Sequence, residues 1–233
     1  MSILTWRKIV LDYPSVVIFF ATFLMRRFNQ YIYLAHNHDG LMKILQKHPC
    51  HVDTILALSD ACRLQDDSTA CKELLERLLF VMESSLHPRC LIATGKNRFD
   101  YNRPENRPLF GALFRYAVLS ARRGCWRTAF EQAKLLLSFD PVSDPLASIL
   151  LLPLFAVRAG RFEELLVMAK ELRHRNVADL PNWCLSIALA HIQMNQPDEA
   201  LKKLETCFKK FPGLLLPLLQ AMQGTVVPYS EIQ

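Results

Sequence analysis

Apolar residues recur at three- and four-residue spacing between residues 101 and 141, and they predict two amphipathic helices joined as a hairpin. One face of the first helix carries apolar and small residues, namely Leu113, Tyr116, Ala117 and Ser120. The matching face of the second helix carries Ala129, Ala133 and Leu136. Gly124 lies between the two helices, where a left-handed residue is favoured, and Pro141 ends the second.

The same markers return along the chain at the period of a tetratricopeptide repeat (TPR). Gly124 and Gly160 are 36 residues apart, and Ala129 and Ala200 are 71 residues apart. Pro141 and Pro212 are also 71 residues apart, which is two repeats of about 35 residues. The sequence therefore predicts an all-α fold, a TPR-like helical-hairpin repeat solenoid with a long loop insertion.

Further periodic segments predict the remaining helices and the domain limits. The predicted helices are 39–47, 51–64, 68–86, 146–159, 162–174, 183–194, 198–211 and 214–222. The acidic cluster before Ser68 supplies a helix N-cap. We expect three regions: an atypical apolar and aromatic amino-terminal segment (1–33), the repeat domain (34–223, with a loop insertion at 87–108) and a carboxy-terminal tail (224–233).

The amino-terminal segment differs in character from the rest of the chain. Its apolar run, residues 15–25, is eleven residues long, whereas a membrane helix needs about 20. Arg26 and Arg27 follow at once, where a signal cleavage site needs small residues. A signal or anchor, a helix docked on the first repeat and a variant amino terminus stay open, and we expect no membrane association.

Positive charge is concentrated around the insertion. Residues 87–127 hold nine arginines and lysines against two acidic residues, a local charge of +7 in a chain of net charge +6. Such a patch favours contact with the phosphate groups of a nucleic acid or with an acidic partner, although a solvated loop with arginines at helix ends has the same composition. The candidate partner- or RNA-binding residues are Arg98, Arg103, Arg107, Arg122, Arg123 and Arg127.

Two interpretations of the polar stretch 100–107 are open. In the first, Asp100 and Glu105 pair with Arg103 and Arg107 and pin the insertion onto the hairpin. In the second, the arginines face phosphate or an acidic segment of a partner, as functional loop residues often do.

Candidate metal and redox chemistry is weak in this sequence. The seven cysteines are scattered without a CxxC pair, which favours a reducing compartment, cytosol or nucleus. Cys62, Cys71, Cys184 and Cys207 fall on predicted apolar helix faces. The spacing of the possible zinc ligands does not match that of a structural zinc site. These residues are His48, Cys50, His51, His87 and Cys90. We expect His48 to His51 to form a turn and helix start, and we predict no metal and no cofactor.

Catalytic motifs are absent as well, so we predict that the chain is not an enzyme. Gly95-Lys96 lacks the earlier glycine and the Ser or Thr of a phosphate-binding loop. Asp53 and Asp60 share one face of a predicted helix, where an acid and base pair is conceivable but solvated or capping carboxylates are commoner.

Five ordered blocks resemble one known family: HPCHVDTILALSDACRLQDD (48–67), FDYNRPENR (99–107), RGCWRTAFE (123–131), LPNWCLSIALA (180–190) and FPGLLLPLLQ (211–220). This is the transcription factor 25 family, also known as nuclear-localised protein 1, whose fungal members are ribosome quality control complex subunit 1. The resemblance runs from about residue 41 to about residue 222. Members are longer at both ends, so it implies a partial chain.

The resemblance implies a non-catalytic adaptor on large ribosomal subunits that carry stalled nascent chains. Its implied partners are a Listerin-type ubiquitin ligase, the nuclear export mediator factor and the valosin-containing AAA ATPase, and its implied outcome is nascent-chain ubiquitination and extraction. The family's other assignment is a nuclear DNA-binding transcriptional regulator or repressor. Either role places the protein in the cytoplasm, the nucleus or both.

Overall fold

The structure is a computed structural model that describes residues 38–87, 90 and 92–214. These residues form α-helices, short 3-10 turns and loops, and no strand occurs among them, as predicted for an all-α fold. The helices are α1 (His38–Lys47), α2 (Val52–Leu64), α3 (Ser68–Ser85), α4 (Arg107–Arg122), α5 (Trp126–Phe139), α6 (Leu152–Ala159), α7 (Phe162–Glu171), α8 (Pro181–Gln193) and α9 (Pro197–Lys210).

The chain divides into two compact units, Met1–Ser148 and Ile149–Gln233. The described part of the first unit holds α1 to α5, with the hairpins α2/α3 and α4/α5. The described part of the second holds α6 to α9. The predicted segments 1–33, 215–222 and 224–233 lie outside the described residues. In the part of the chain that is described, no helix combines the length and the apolar character needed to span a membrane.

Small residues let α4 and α5 approach closely, as their spacing predicts. Ala117, Ala129 and Ala133 are 1%, 0% and 0% exposed, so no larger side chain separates the two helix axes at these levels. Gly124 has a φ of +80° just beyond the end of α4, and the Cys125 N–H donates to the Ser120 carbonyl at 2.9 Å. This left-handed C′ residue turns the chain sharply into α5.

Helix starts in the first hairpin follow the predicted capping chemistry. Nδ1 of His51 accepts a hydrogen bond from the Thr54 backbone N–H at 3.2 Å and caps α2. Asp67 accepts from the backbone N–H groups of Thr69 and Ala70 and caps α3. These side chains satisfy donors that a helix start leaves without an internal partner. The prediction of a turn and helix start at residues 48–51 is confirmed.

The third predicted hairpin is wrong in its boundaries. The sequence predicts a helix from Leu146, but α6 begins at Leu152 after a 3-10 turn, Ser148–Leu150. Asp144 and Ala147 have φ values of +42° and +50°, which a right-handed helix cannot contain. The Asp144 carboxylate instead accepts hydrogen bonds from the Ser148 backbone N–H and hydroxyl, at 2.9 and 2.6 Å. That buried turn outweighs the apolar periodicity of the segment.

Two further boundaries differ from prediction by smaller amounts. The helix predicted to reach residue 174 ends as α-helix at Glu171 and continues as a 3-10 turn, Leu172–Arg175, before Asn176 at a φ of +52°. The insertion predicted to end at residue 108 ends one residue before Arg107, because Pro108 fits the first turn of α4.

The second unit is centred on Trp183 of α8, which is fully buried. Its indole Nε1–H donates to the Ile149 carbonyl at 2.9 Å, so the ring buries a large apolar surface without leaving its one donor unsatisfied. Cys184 and Cys207 lie on α8 and α9 and are buried, as are Cys62 and Cys71 in the first unit. The predicted role of these four thiols as small apolar side chains is confirmed.

We expect Ala129→Leu to destabilise the chain by about 1–3 kcal/mol, because three added carbons have no space between α4 and α5. Thr128→Leu is the matched control, since Thr128 is the preceding residue on α5 and is exposed. Urea unfolding followed by circular dichroism measures both changes. Equal effects of the two substitutions would contradict close packing at Ala129.

Candidate partner-binding surface of the first unit

Aromatic side chains fix the insertion on the hairpin α4/α5. The Phe99 backbone N–H donates to the Phe139 carbonyl at 3.0 Å, and the two rings meet edge to face at a centroid distance of 4.9 Å. Tyr101 meets Phe110 in the same way at 5.3 Å, and Phe110 meets Phe139 at 5.6 Å. Phe110 and Phe139 are each 1% exposed, so the insertion is joined to the core of the unit.

Ion pairs between arginines and carboxylates add little to this attachment. Nε of Arg103 lies 4.0 Å from the Asp100 carboxylate, and the Arg103 side chain is 76% exposed. A long, solvated pair of this kind contributes little stability. Glu105 is exposed and pairs with no cation in the described residues. Of the ion pairs in the first interpretation, the described residues show only the long one between Asp100 and Arg103, so that interpretation is wrong about the cause, and aromatic packing is what mainly fixes the insertion.

Arg107 and Arg98 hold the backbone of the insertion and still face solvent. The Arg107 guanidinium donates to the carbonyls of Tyr101 and Asn102, at 3.2 and 3.3 Å, and its centre lies 5.6 Å from the Tyr101 ring centroid. Arg98 donates to the Gly95 carbonyl at 2.8 Å. Both side chains are exposed. Because these acceptors are neutral carbonyls, the two positive charges are uncompensated.

The other three candidate arginines surround the end of the hairpin. Arg122 is the last residue of α4, Arg123 is its C-cap, and Arg127 is in the first turn of α5. All three are exposed, and none forms an ion pair with a carboxylate of the described residues. The six candidates thus form two groups: the insertion arginines (Arg98, Arg103 and Arg107) and the hairpin-end arginines (Arg122, Arg123 and Arg127).

An ion pair that the sequence did not predict joins α2 to α4. Nε and Nη2 of Arg115 donate to the two carboxylate oxygens of Asp60 at 2.9 and 2.7 Å. This hydrogen bonding lowers the pKa of Asp60 and raises that of Arg115. The third donor nitrogen of the fork, Nη1, donates to the Gly111 carbonyl at 3.2 Å. All three guanidinium nitrogens of Arg115 are engaged within the unit.

The carboxylates of α2 are consequently poor candidates for a catalytic pair. Both oxygens of Asp60 accept from Arg115, so this carboxylate has a structural role between two helices. Burial raises the pKa of Asp53, in the first turn of α2. In the described residues no group of three or more His, Cys, Asp or Glu side chains could hold a metal ion.

A cleft of about 380 Å³ opens beside the Asp60–Arg115 pair. Apolar side chains and a hydroxyl line its floor and walls: Ser59, Cys71, Phe114, Val118, Leu119 and Leu146. Arg63, in the last turn of α2, and Arg122, in the last turn of α4, also line this cleft. These two arginines also line a smaller cleft of about 160 Å³, whose other charged residues are Asp66 and Arg123. The two clefts therefore share four lining residues: Arg63, Cys71, Leu119 and Arg122.

Sequence comparison places most of the chain within one family model. The model described as transcriptional repressor TCF25 matches residues 24–231. The human ribosome quality control complex subunit TCF25 is 39% identical over 196 residues, covering 78% of this chain and 29% of the human protein. Ribosome quality control complex subunit 1 of Schizosaccharomyces pombe is 34% identical over 195 residues, covering 83% and 30% respectively. The chain spans about three tenths of the length of these relatives.

Structural comparison agrees with the repeat fold. A crystal structure of MamA protein superimposes with a TM-score of 0.53 at 13% identity, covering 96% of this chain and 98% of that chain. A second MamA crystal structure gives a TM-score of 0.52 at 14% identity. Identities this low show the fold alone, and MamA is a TPR-like helical repeat protein. The TPR-like prediction is confirmed.

We expect a double-mutant cycle of Asp60→Ala and Arg115→Ala to give a coupling of about 1 kcal/mol, a value reduced by the one-third exposure of both side chains. Because the pKa of folded Asp60 lies below its ordinary 3.8, the stability from this pair is present above that pH. It is lost as the pH falls through the folded-state pKa. Urea unfolding at several pH values measures the coupling, and a coupling that is constant down to about pH 3 would contradict the assignment.

We expect Phe99→Ala to release the insertion without unfolding α4 and α5, because it removes the ring contact with Phe139. Hydrogen exchange of the backbone amides of residues 99–106, followed by mass spectrometry, should become faster by at least about tenfold. Exchange within α5 should stay slow. Arg103→Ala is the control, since its side chain is largely exposed and its loss should leave the exchange unchanged.

Proposed function

Since the chain belongs to the transcriptional repressor TCF25 family, we propose that it is the helical-repeat part of a ribosome quality control complex subunit. Its role is that of a non-catalytic adaptor that binds other macromolecules. The single observation that supports this most is the 39% identity over 196 residues to a human protein named as such a subunit. Because the chain corresponds to about three tenths of that protein, the role is proposed for this part alone.

The proposed partner of the insertion arginines is RNA of the large ribosomal subunit. Arg98, Arg103 and Arg107 are exposed, and the aromatic anchor holds their backbone in place before any partner binds. Preorganisation reduces the entropy lost on binding, and arginine forks suit the oxygens of phosphate groups. The uncompensated charges of Arg98 and Arg107 support this choice.

The proposal extends to the partners that the family resemblance implies. On a large subunit with a stalled nascent chain, the adaptor would act beside a Listerin-type ubiquitin ligase and the nuclear export mediator factor. It would favour ubiquitin-chain assembly and recruitment of the valosin-containing AAA ATPase. Repeat folds support such a role because stacked helical hairpins offer extended surfaces for several proteins. The place of action is the cytoplasm, with the nucleus as a second location.

The second candidate is a nuclear DNA-binding repressor, which the description of the family model favours. Duplex recognition usually places the side chains of one helix in the major groove. The insertion arginines do not share a helix, since Arg98 and Arg103 lie in a loop and Arg107 begins α4. Competition between duplex DNA and large-subunit RNA for the chain separates the two candidates, and preference for DNA would favour the repressor.

We expect Arg103→Glu/Arg107→Glu to weaken co-sedimentation with large ribosomal subunits by about tenfold or more at 0.1 M salt, because two phosphate-facing charges are reversed. The salt dependence of binding should also become less steep, by about one unit of log-log slope for each lost contact. Sedimentation with purified subunits over a salt series measures both quantities.

The control is Lys170→Glu/Arg173→Glu, which reverses the same number of charges on exposed residues of the second unit. Equal losses in both double variants would mean that net charge alone causes binding. No loss in the insertion variant would remove the insertion from the proposed interface.

A further inference from the structure

The paired clefts between α2 and α4 form a second candidate site, separate from the insertion arginines. Both clefts are lined by Arg63 and Arg122, which come from the last turns of two different helices, and also by Cys71 and Leu119. The lining of the larger cleft includes the half-buried side chains of Phe114 and Val118. A volume of about 380 Å³ is in the range of known binding pockets.

Arg63 and Arg122 have donors that the protein itself does not use. Nε of Arg63 lies 3.7 Å from Asp60, and its side chain is 46% exposed. Its terminal nitrogens donate to no acceptor in the described residues, and Arg122 has no ion pair there either. Asp60 cannot neutralise Arg63 fully, because its single negative charge is shared between Arg63 and Arg115. Two guanidinium groups that line an apolar cleft are thus available to bind a ligand.

The geometry points to a linear acidic peptide as the occupant, with an apolar residue in the larger cleft and flanking carboxylates on Arg63 and Arg122. Arginine forks bind carboxylates through two parallel hydrogen bonds. The apolar floor gives an adjacent leucine or aromatic side chain a surface on which to bury. This inference does not depend on the ribosome proposal, because the insertion arginines take no part in it.

Charge favours a peptide over RNA at this site. Arg63, Arg122 and Arg123 are the arginines left for a ligand, and Asp66 faces the smaller cleft beside them. A net charge of +2 from these four residues matches a few carboxylates. An RNA strand carries a phosphate on every nucleotide, which is more negative charge than +2 matches, and its backbone offers no apolar group to pack on the apolar lining of the larger cleft.

The two ends of the chain outside the structure do not have the required composition. Residues 1–37 hold four basic residues, Arg7, Lys8, Arg26 and Arg27, against one acidic residue, Asp12. Residues 215–233 hold one acidic residue, Glu231. Neither of these two segments is therefore the proposed occupant, which we assign to a locally acidic segment of another protein.

Fluorescence anisotropy with the 233-residue chain tests the inference. The probe is an eight-residue labelled peptide in which acidic residues flank a Leu-Phe pair. Two comparison peptides replace either the acidic residues with Asn and Gln or the Leu-Phe pair with Gly-Ser. A 12-nucleotide oligouridine is the RNA comparison. We expect the first peptide to bind with a Kd below about 100 μM and each comparison peptide to bind at least about tenfold more weakly.

We expect Arg63→Glu/Arg122→Glu to weaken binding of the first peptide by at least about tenfold, and Arg63→Gln/Arg122→Gln to weaken it by several-fold. Lys170→Glu/Arg173→Glu, which reverses two charges on exposed residues of the second unit, is the matched control and should bind the peptide as the unaltered chain does. Circular dichroism checks that each variant is folded. Because Arg63, Arg122, Lys170 and Arg173 are exposed, we expect normal folding.

Three results would overturn the inference. The first is absence of peptide binding up to about 1 mM. The second is peptide binding that the Arg63/Arg122 variants leave unchanged. The third is oligouridine binding that is tighter than peptide binding and is lost in those variants, which would assign the clefts to RNA. None of these results bears on sedimentation with ribosomal subunits, so the two proposals fail independently.

Discussion

The first unit depends on the close contact between α4 and α5, which alanines on both helices make possible. That contact brings Phe110 of α4 and Phe139 of α5 together, and their rings form the buried surface on which Phe99 and Tyr101 of the insertion rest. A different side of α4 carries Arg115, Val118 and Arg122 toward the clefts beside α2. One helix thus supports both candidate surfaces, so a change in its packing would disturb the insertion and the clefts together.

The arginines of this unit differ in how much of their charge the protein itself uses. All three guanidinium nitrogens of Arg115 donate hydrogen bonds, and its ion pair with Asp60 connects α4 to α2. Arg107 and Arg98 donate to neutral carbonyls, so they order the insertion and keep their charge. Arg63 and Arg122 line the larger cleft, and their guanidinium groups keep N–H donors available for a ligand. Composition alone counts these residues equally, whereas only the last two groups are suited to meeting a partner.

Family and fold answer different questions about this chain. Identity of 34–39% to ribosome quality control subunits supports the adaptor role, while the MamA structures, at 13–14% identity, support the TPR-like fold and nothing about partners. The two proposed binding surfaces follow from neither comparison. They follow from the exposed guanidinium groups of the first unit and from the local packing and hydrogen bonds around them.

The sequence by itself determined the helices, the repeat period, the turn at Gly124 and the caps at His51 and Asp67, because these depend on spacing and on local backbone chemistry. It also located the excess of positive charge. Only the tertiary structure decided that Asp60 pairs with Arg115, 55 residues away, and that aromatic rings, more than charges, pin the insertion. It also showed that α6 begins at Leu152 instead of Leu146, because the buried Asp144 carboxylate holds a turn before it. Such contacts join residues that are remote in sequence or compete with a local periodicity, so no pattern along the chain reveals them.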